Sequence, residues 1–180
     1  MSKFQAERAK DIRDRMSRCF EKHVITQDLN QGVFRSWYCA KPEDCFHWFR
    51  VTTWPGYLAV TGDLGDVVFS RCQDMIPWAR SSIRDPNYMA SKVVAGNVRE
   101  FSLEDLREWL EEERGELYKD GGDSIAAEIQ NLLEDDELSI ADVYATGIFD
   151  EVPRCEVLTR EFLVIIEALR WFFEKTKETE

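Results

Sequence analysis

Hydrophobic and polar residues alternate most regularly between Trp48 and Arg71, and two turn sequences interrupt that alternation. The first turn contains Trp54-Pro55-Gly56 and the second contains Gly62-Asp63-Leu64-Gly65. A period of two is typical of half-buried strands, and Pro and Gly favour tight turns between them. The pattern therefore predicts three short antiparallel strands, at 45–53, 57–62 and 66–70.

An alternating stretch with bulky aromatic residues at 33–40 predicts one more strand ahead of these three. Four consecutive strands with short connections form a meander. Apolar residues at helical spacing in 4–23 predict an N-terminal amphipathic helix. Since one face of such a sheet needs cover, we expect this helix to pack on it.

Helical periodicity dominates the remainder of the chain. Ser102 with Asp105, and Ser139 with Asp142, have the spacing of helix N-terminal capping pairs. The predicted helices are 75–82, 85–94, 102–118, 124–133, 139–145 and 156–175. The sequence thus predicts an α+β fold, with a four-stranded antiparallel meander packed with an N-terminal helix and followed by a helical, acidic C-terminal half.

Charge is distributed unevenly along the chain. Residues 1–98 contain 14 Lys/Arg and 11 Asp/Glu, a net charge of +3, whereas residues 99–180 contain 9 Lys/Arg and 24 Asp/Glu, a net charge of −15. The shift predicts a region 1–98 with the helix and sheet and an acidic helical region 99–180, packed as one domain. An acidic region repels nucleic acid and attracts basic surfaces, so we expect no direct nucleic-acid binding.

Hydropathy and cysteine usage favour a cytoplasmic protein. No apolar run approaches the roughly 18 residues that span a bilayer, and the first 16 residues are charged rather than apolar. The five cysteines have irregular spacing without a Cys-x-x-Cys pair, which argues against a disulfide framework. We therefore expect neither membrane association nor secretion.

Two residue sets could support catalysis or metal binding. Asp63 and Asp66 in the 62–66 turn are paired carboxylates, although a plain hairpin connection explains the same sequence. The other set contains residue types that bind zinc, but cysteine also behaves as a small core residue. Its members are Cys19, His23, Cys39, Cys45 and His47. We predict no cofactor and favour a non-enzymatic role, with a metal-dependent enzyme at the Gly62–Asp66 hairpin as an alternative.

The core of the chain resembles a group of uncharacterised proteins encoded by phages and prophages. The matching residues are Thr53-Trp54-Pro55-Gly56, Gly62-Asp63-Leu64-Gly65 and Val68-Phe69-Ser70-Arg71. The resemblance covers about residues 33–95. It implies an origin in a mobile element and brings no known activity.

These observations lead to the hypothesis of a phage or prophage accessory protein that binds and inhibits a host protein in the host cytoplasm. The target would present a basic nucleic-acid-binding surface, as an anti-CRISPR or anti-restriction protein requires, and acidic helices would mimic nucleic acid. A homo-oligomeric phage regulatory or assembly module, formed through the aromatic-rich last helix, is a second alternative. The predicted partner-binding residues are Glu104, Glu108, Glu111, Glu112, Glu113, Glu134, Asp135, Asp136 and Glu137.

Overall fold

The structure, a computed structural model, describes residues 3–44, 46–119 and 122–177. The helices in these residues are α1 Lys3–Phe20, α2 Met75–Ser82, α3 Pro86–Ala90, α4 Leu103–Lys119, α5 Asp123–Leu133, α6 Ile140–Ala145 and α7 Arg160–Lys177. The strands are β1 Val24–Gln31, β2 Phe34–Ala40, β3 Phe49–Trp54, β4 Tyr57–Gly62, β5 Val67–Ser70, β6 Val93–Ala95, β7 Arg99–Phe101 and β8 Glu156–Leu158.

The chain divides into two compact units. The first, which we call the sheet unit, comprises Met1–Arg99 and Leu158–Glu180, and the second, the helical unit, comprises Glu100–Val157. Strands β7 and β8 pair where the chain passes from one unit to the other and returns. Helix α7 therefore belongs to the sheet unit, whereas composition grouped it with the acidic helices of residues 99–180.

The sheet confirms the predicted antiparallel α+β architecture, but it has six strands in the order β1-β2-β3-β4-β5-β6, so the prediction of four strands is wrong. The sequence of β1, Val24–Gln31, is mostly polar and almost fully exposed, so it has no hydrophobic alternation to detect. It is extended because it pairs with β2 along its length. Val24 lies opposite Ala40 at one end, and Gln31 lies opposite Phe34 at the other. Strand β6 has only three residues, and its pairing with β5 defines it.

One face of this sheet carries the larger hydrophobic core. Phe49, Val51 and Thr53 of β3 are buried on that face, as alternation predicts. Helix α7 packs there, with Phe172 against Trp37 at a ring-centroid distance of 5.2 Å. The high apolar content of α7 is therefore explained by burial against the sheet.

The opposite face, which we call the open face, carries aromatic residues that are in part exposed. Phe34 and Tyr57 are 49% and 39% exposed, and Trp54 stacks on Tyr57 at 5.4 Å. Arg50 lies 5.2 Å from the centre of the Tyr38 ring and pairs with a carboxylate of β1. The open face therefore contains much of the exposed aromatic surface of the sheet unit.

The helical unit has a smaller core of its own. In this core the ring of Trp109, on α4, packs against the ring of Phe149, and the ring centroids are 4.7 Å apart. The predicted capping box is confirmed at α6, where the Ser139 hydroxyl and the Asp142 carboxylate bond to each other's backbone N–H groups. The buried members of this core are Leu106, Leu110, Ile129, Leu138 and Val143.

Candidate functional site

Helix α4 presents one apolar face and one acidic face. Its first turn is capped by the buried Ser102, whose hydroxyl accepts a hydrogen bond of 3.1 Å from the Asp105 backbone N–H. Leu106 and Leu110 are fully buried in the core of the helical unit. Four of the five predicted carboxylates on this helix, Glu104, Glu108, Glu111 and Glu112, are exposed, and Glu113 is half-buried.

The exposed carboxylates of α4 form a row along the helix. Glu104, Glu108 and Glu112 are four residues apart, so successive members share a face and are separated by about 6 Å along the axis. Within the described part of the chain, none of these three carboxylates forms an ion pair. Their charges are therefore available to a partner.

The second acidic segment, 134–137, follows α5 directly. All four of its side chains are exposed. The Asp135 carboxylate accepts a hydrogen bond of 2.9 Å from the Glu137 backbone N–H, and Glu134 accepts one of 2.9 Å from the side chain of Gln130. These bonds give the acidic turn a defined shape without neutralising its charge.

Arg107 brings the two acidic segments together. Its guanidinium group donates a hydrogen bond of 2.7 Å to the Asp135 carbonyl oxygen and lies 3.9 Å from the Asp136 carboxylate. Arg107 lies between Glu104 and Glu108 on α4, so the acidic turn is next to this row of carboxylates. We call the nine predicted carboxylates, thus arranged, the acidic surface.

Few cations balance this surface. The helical unit contains 19 Asp/Glu and 4 Lys/Arg, a net charge of −15, and the sheet unit has a net charge of +3. Arg107 is held by the acidic turn, and Arg114 bonds Glu111 and the side chain of Gln130. Half of the basic residues in the unit are therefore already engaged within it.

The Gly62–Asp66 hairpin uses both of its carboxylates in backbone hydrogen bonds. Asp63 accepts from the His47 N–H at 3.0 Å, and Asp66 accepts from the Gly62 N–H at 3.2 Å. Gly62 and Gly65 have φ angles of +133° and +102°, which favour glycine. These contacts fit the interpretation of the segment as a hairpin connection.

The described cysteine and histidine residues of the second set lie in and around the core of the sheet unit. Cys39 is fully buried, and this burial raises the pKa of its thiol to about 12. The His23 ring donates a hydrogen bond of 3.0 Å to the His47 carbonyl oxygen, and Cys19 is half-buried near the end of α1. Cys45 lies outside the described residues.

The described residues contain no group of three or more His, Cys, Asp or Glu side chains arranged to hold a metal ion. None of their helices combines the length and apolarity needed to cross a bilayer.

The homo-oligomer alternative requires α7 to offer apolar residues to a second copy. Seven residues of this helix are instead buried within the described chain. They are Phe162, Ile165, Ile166, Ala168, Leu169, Phe172 and Phe173.

Sequence patterns did not reveal Arg107 and Arg114 as the residues that organise the acidic surface. Both are isolated basic residues within the acidic sequence of α4. Arg107 bonds Asp135, 28 residues later in the chain, and Arg114 bonds Gln130, 16 residues later.

Comparison with protein-family models, curated proteins and solved structures finds no match to the chain.

Proposed function

We propose that the protein is a non-enzymatic phage or prophage accessory protein that binds a basic, nucleic-acid-handling protein of the host through its acidic surface. The target class is a defence complex such as a CRISPR effector or a restriction enzyme in the host cytoplasm. The acidic surface would occupy the groove that holds nucleic acid and so inhibit the target. The concentration of the negative charge in the helical unit carries this proposal.

The magnitude of that charge supports a binding role over solubility alone. A net charge of about 2 to 8 in magnitude is sufficient to keep a small domain soluble. The helical unit reaches −15 within Glu100–Val157, although self-repulsion of this size opposes compact folding. A basic partner would relieve this repulsion.

Shape and local apolar contacts also fit such a surface. The row on α4 and the turn at 134–137 are adjacent, so they offer carboxylates at two neighbouring places on one unit. Phe101 and Tyr144, at 45% and 49% exposure, provide aromatic surface in the same unit. Charge would direct the encounter, and aromatic contacts would slow dissociation.

The test is a pull-down with the tagged protein from lysates of bacteria that carry defence systems, at about 0.1 M and 1 M salt. The Debye length falls from about 10 Å to about 3 Å between these concentrations, so the complex should be recovered only at the lower one. The recovered target should lose nucleic-acid binding as the protein is added.

A charge reversal locates the contact. Replacing Glu134, Asp135, Asp136 and Glu137 together by Lys should abolish binding to the recovered target while the circular dichroism spectrum is unchanged. A matched variant reverses four exposed carboxylates of the sheet unit and makes the same change in net charge. Its positions are Glu7, Asp11, Asp14 and Glu21.

The matched variant should bind normally because its substitutions lie outside the acidic surface. Equal loss of binding in both variants would mean that total charge, not the acidic surface, drives association. Undiminished binding by the 134–137 variant would overturn the assignment of the site.

A further inference from the structure

A groove of about 830 Å³ borders one edge of the six-stranded sheet, within the sheet unit. Strands β1 and β2 form one wall, and α2 and the end of α7 form the other. Strand β1 is the first in the sheet order, so β2 is its neighbour on one side and no strand of the described chain pairs with it on the other. The groove therefore lies beside a strand edge that can accept one more strand.

The outer edge of β1 offers its backbone to such a strand. β1 runs for eight residues, and seven of them are exposed. In an antiparallel pair, alternate residues of an edge strand direct their N–H and C=O groups away from the neighbouring strand. Among the described residues, none of these groups forms a backbone hydrogen bond with another segment. An extended peptide would satisfy this row of donors and acceptors.

The devices that usually protect an edge strand are sparse in β1. It contains neither Pro nor Lys, and its single charged residue, Asp28, is paired with Arg50 of β3. A bulge between Gln27 and Leu29 shifts the register, and the Leu29 carbonyl oxygen accepts a hydrogen bond of 3.4 Å from the Gln27 side chain. The stretch Val24–Gln27 precedes the bulge and keeps a regular edge.

The groove receives side chains from alternate positions of this edge. Ile25 and Gln27 both line it, and Gln27 lies opposite Trp37, which lines it too. The Trp37 ring packs edge to face on Phe172 of α7, so these rings give the groove an apolar floor. A strand added to β1 continues the same pleat, so every second side chain of that strand would point to the groove side of the sheet.

The charged groups in the lining are already engaged. Both terminal nitrogens of Arg35 donate hydrogen bonds, of 2.9 and 3.0 Å, to the Asp74 carboxylate. The Arg80 guanidinium group lies over the Phe173 ring at 5.7 Å and donates a hydrogen bond of 3.4 Å to the Thr176 hydroxyl. The rest of the lining is apolar or neutral. The groove therefore favours apolar, uncharged side chains.

We propose that the outer edge of β1 and this groove together bind an extended peptide segment of a partner protein. The peptide adds a strand beside β1, and apolar side chains at alternate positions of the peptide enter the groove over Trp37 and Phe172. Backbone hydrogen bonds hold any extended sequence, and the groove selects the side chains. The site uses no residue of the acidic surface, so its test does not depend on the proposed function.

A second copy of this chain fits the groove less well than a peptide does. If β1 paired with β1 of another copy, its groove-side residues would be Ile25, Gln27 and Asn30, of which only Ile25 is apolar. Much of the apolar surface of Trp37 and Phe172 would then have no matching side chain. A peptide with an apolar residue at every second position would cover it.

The experiment is an NMR titration of the full chain, labelled with ¹⁵N, with seven-residue peptides that have blocked ends. The peptides have Ser at odd positions, Ile at the second and sixth, and Val, Leu, Phe or Trp at the fourth. Saturable shifts at the amides of Val24–Gln27 and Ser81 are expected, and the lowest dissociation constant identifies the preferred side chain. A peptide of the same composition with its three apolar residues adjacent should bind at least tenfold more weakly.

Backbone methylation tests the strand pairing. In the tightest peptide, N-methyl groups at every residue from the second to the sixth remove the N–H donors on both edges, and should weaken binding at least tenfold. Two control forms carry N-methyl groups only at the even or only at the odd residues of this stretch. Successive N–H groups of a strand point to opposite edges, so each control keeps the donors of one edge. At least one control should bind like the unmethylated peptide.

Two matched substitutions test the groove. Ser81 of α2 lines the groove, and Ser91 precedes β6 at the opposite edge of the sheet. Both are exposed, and their hydroxyls donate hydrogen bonds of 2.8 and 2.7 Å to the carbonyl oxygen three residues earlier. Ser81→Lys should weaken binding of the tightest peptide about tenfold, because it places a charge where an apolar side chain lies. Ser91→Lys makes the same change and should leave binding unchanged.

Four results would overturn the proposal. One is the absence of saturable shifts at the β1 amides with the whole panel. Another is binding of the fully methylated form as tight as that of the unmethylated peptide. A third is equal weakening by Ser81→Lys and Ser91→Lys. The fourth is a dimer in sedimentation with the β1 amides protected from hydrogen exchange in the absence of peptide, which would assign this edge to a second copy of the chain.

Discussion

The two units of this protein differ in what their surfaces and interiors contain. Among the described residues, the larger core of the sheet unit has 24 buried hydrophobic residues, and that of the helical unit has five. The sheet unit has a net charge of +3 and the helical unit −15. Burial of apolar surface therefore stabilises the sheet unit far more, while charge repulsion opposes folding in the helical unit.

This contrast shows where apolar burial and negative charge are concentrated. In the sheet unit, apolar residues are concentrated in one covered face and α7, and the charged residues include Arg35 and Asp74 in a specific pair. In the helical unit, a thin core supports a high density of carboxylates. We expect substitutions that remove buried side chains to destabilise the sheet unit most. Substitutions that change helix propensity should have a measurable effect on the helical unit.

The largest effect is expected from truncating the core of the sheet unit. Phe162 of α7 is 1% exposed, and its ring packs against that of Phe69 with a distance of 6.1 Å between the ring centroids. Phe162→Ala should lower the free energy of unfolding by about 3 to 5 kcal/mol, measured by urea denaturation, because it leaves a cavity. Phe34→Ala on the open face should change it by less than about 1 kcal/mol. Similar losses for the two variants would contradict the assignment of the core to one face.

A smaller effect is expected from pH, and only in the sheet unit, which contains both histidines. His23 is buried near Phe20, Phe49 and Trp171, and this burial lowers its pKa in the folded chain. Below the ordinary value of about 6.5, the unfolded chain binds the proton more readily than the folded chain. The free energy of unfolding should therefore decrease as pH falls from about 7 to 5.

Substitution distinguishes His23 from other titrating groups. His23→Phe should flatten the decrease between pH 7 and 5, measured by urea denaturation at each pH. His47→Asn is the control, because His47 is exposed with a φ of +61°, which Asn tolerates. An unchanged slope in His23→Phe would exclude His23 as the cause.

The smallest effect is expected in the helical unit and has the opposite sign. Gly115 lies within α4, is exposed, and an added Cβ would meet no atom within 4 Å. Gly115→Ala should stabilise α4 by about 0.5 to 1 kcal/mol, measured as slower amide hydrogen exchange in that helix. In contrast, Gly62→Ala should destabilise the sheet unit, because its φ is +133° and a Cβ would lie 2.6 Å from the Trp48 carbonyl oxygen. Slower exchange in both variants would contradict this explanation.

Much of the fold was predictable where local signals were strong. The bounds of β4 and α2 agree with the sequence prediction, because alternation and turn residues mark β4 and Asp74 caps α2. The prediction of the strand 45–53 began too early, since β3 begins at Phe49. Strand β1 was missed because its polar sequence becomes extended only through pairing with β2.

In the candidate site, too, some features follow from local sequence and others from contacts between distant residues. Exposure of Glu104, Glu108, Glu111 and Glu112 follows from the position of Leu106 and Leu110 on the opposite side of α4. Adjacency of that row to the acidic turn depends on Arg107, which bonds a residue 28 positions later. The ion pair between Arg35 and Asp74 in the sheet unit likewise joins residues that are 39 positions apart.

The amino-acid sequence by itself determined the helical and strand segments with strong periodicity, the glycine turns between them and the placement of negative charge. These depend on neighbours within a few residues, through backbone conformation, capping and alternation. Only the tertiary structure decided that the sheet has six strands, that α7 joins the sheet unit and that Arg35 pairs with Asp74. Those outcomes depend on pairing and burial between segments far apart in the chain, whose energy no local pattern contains.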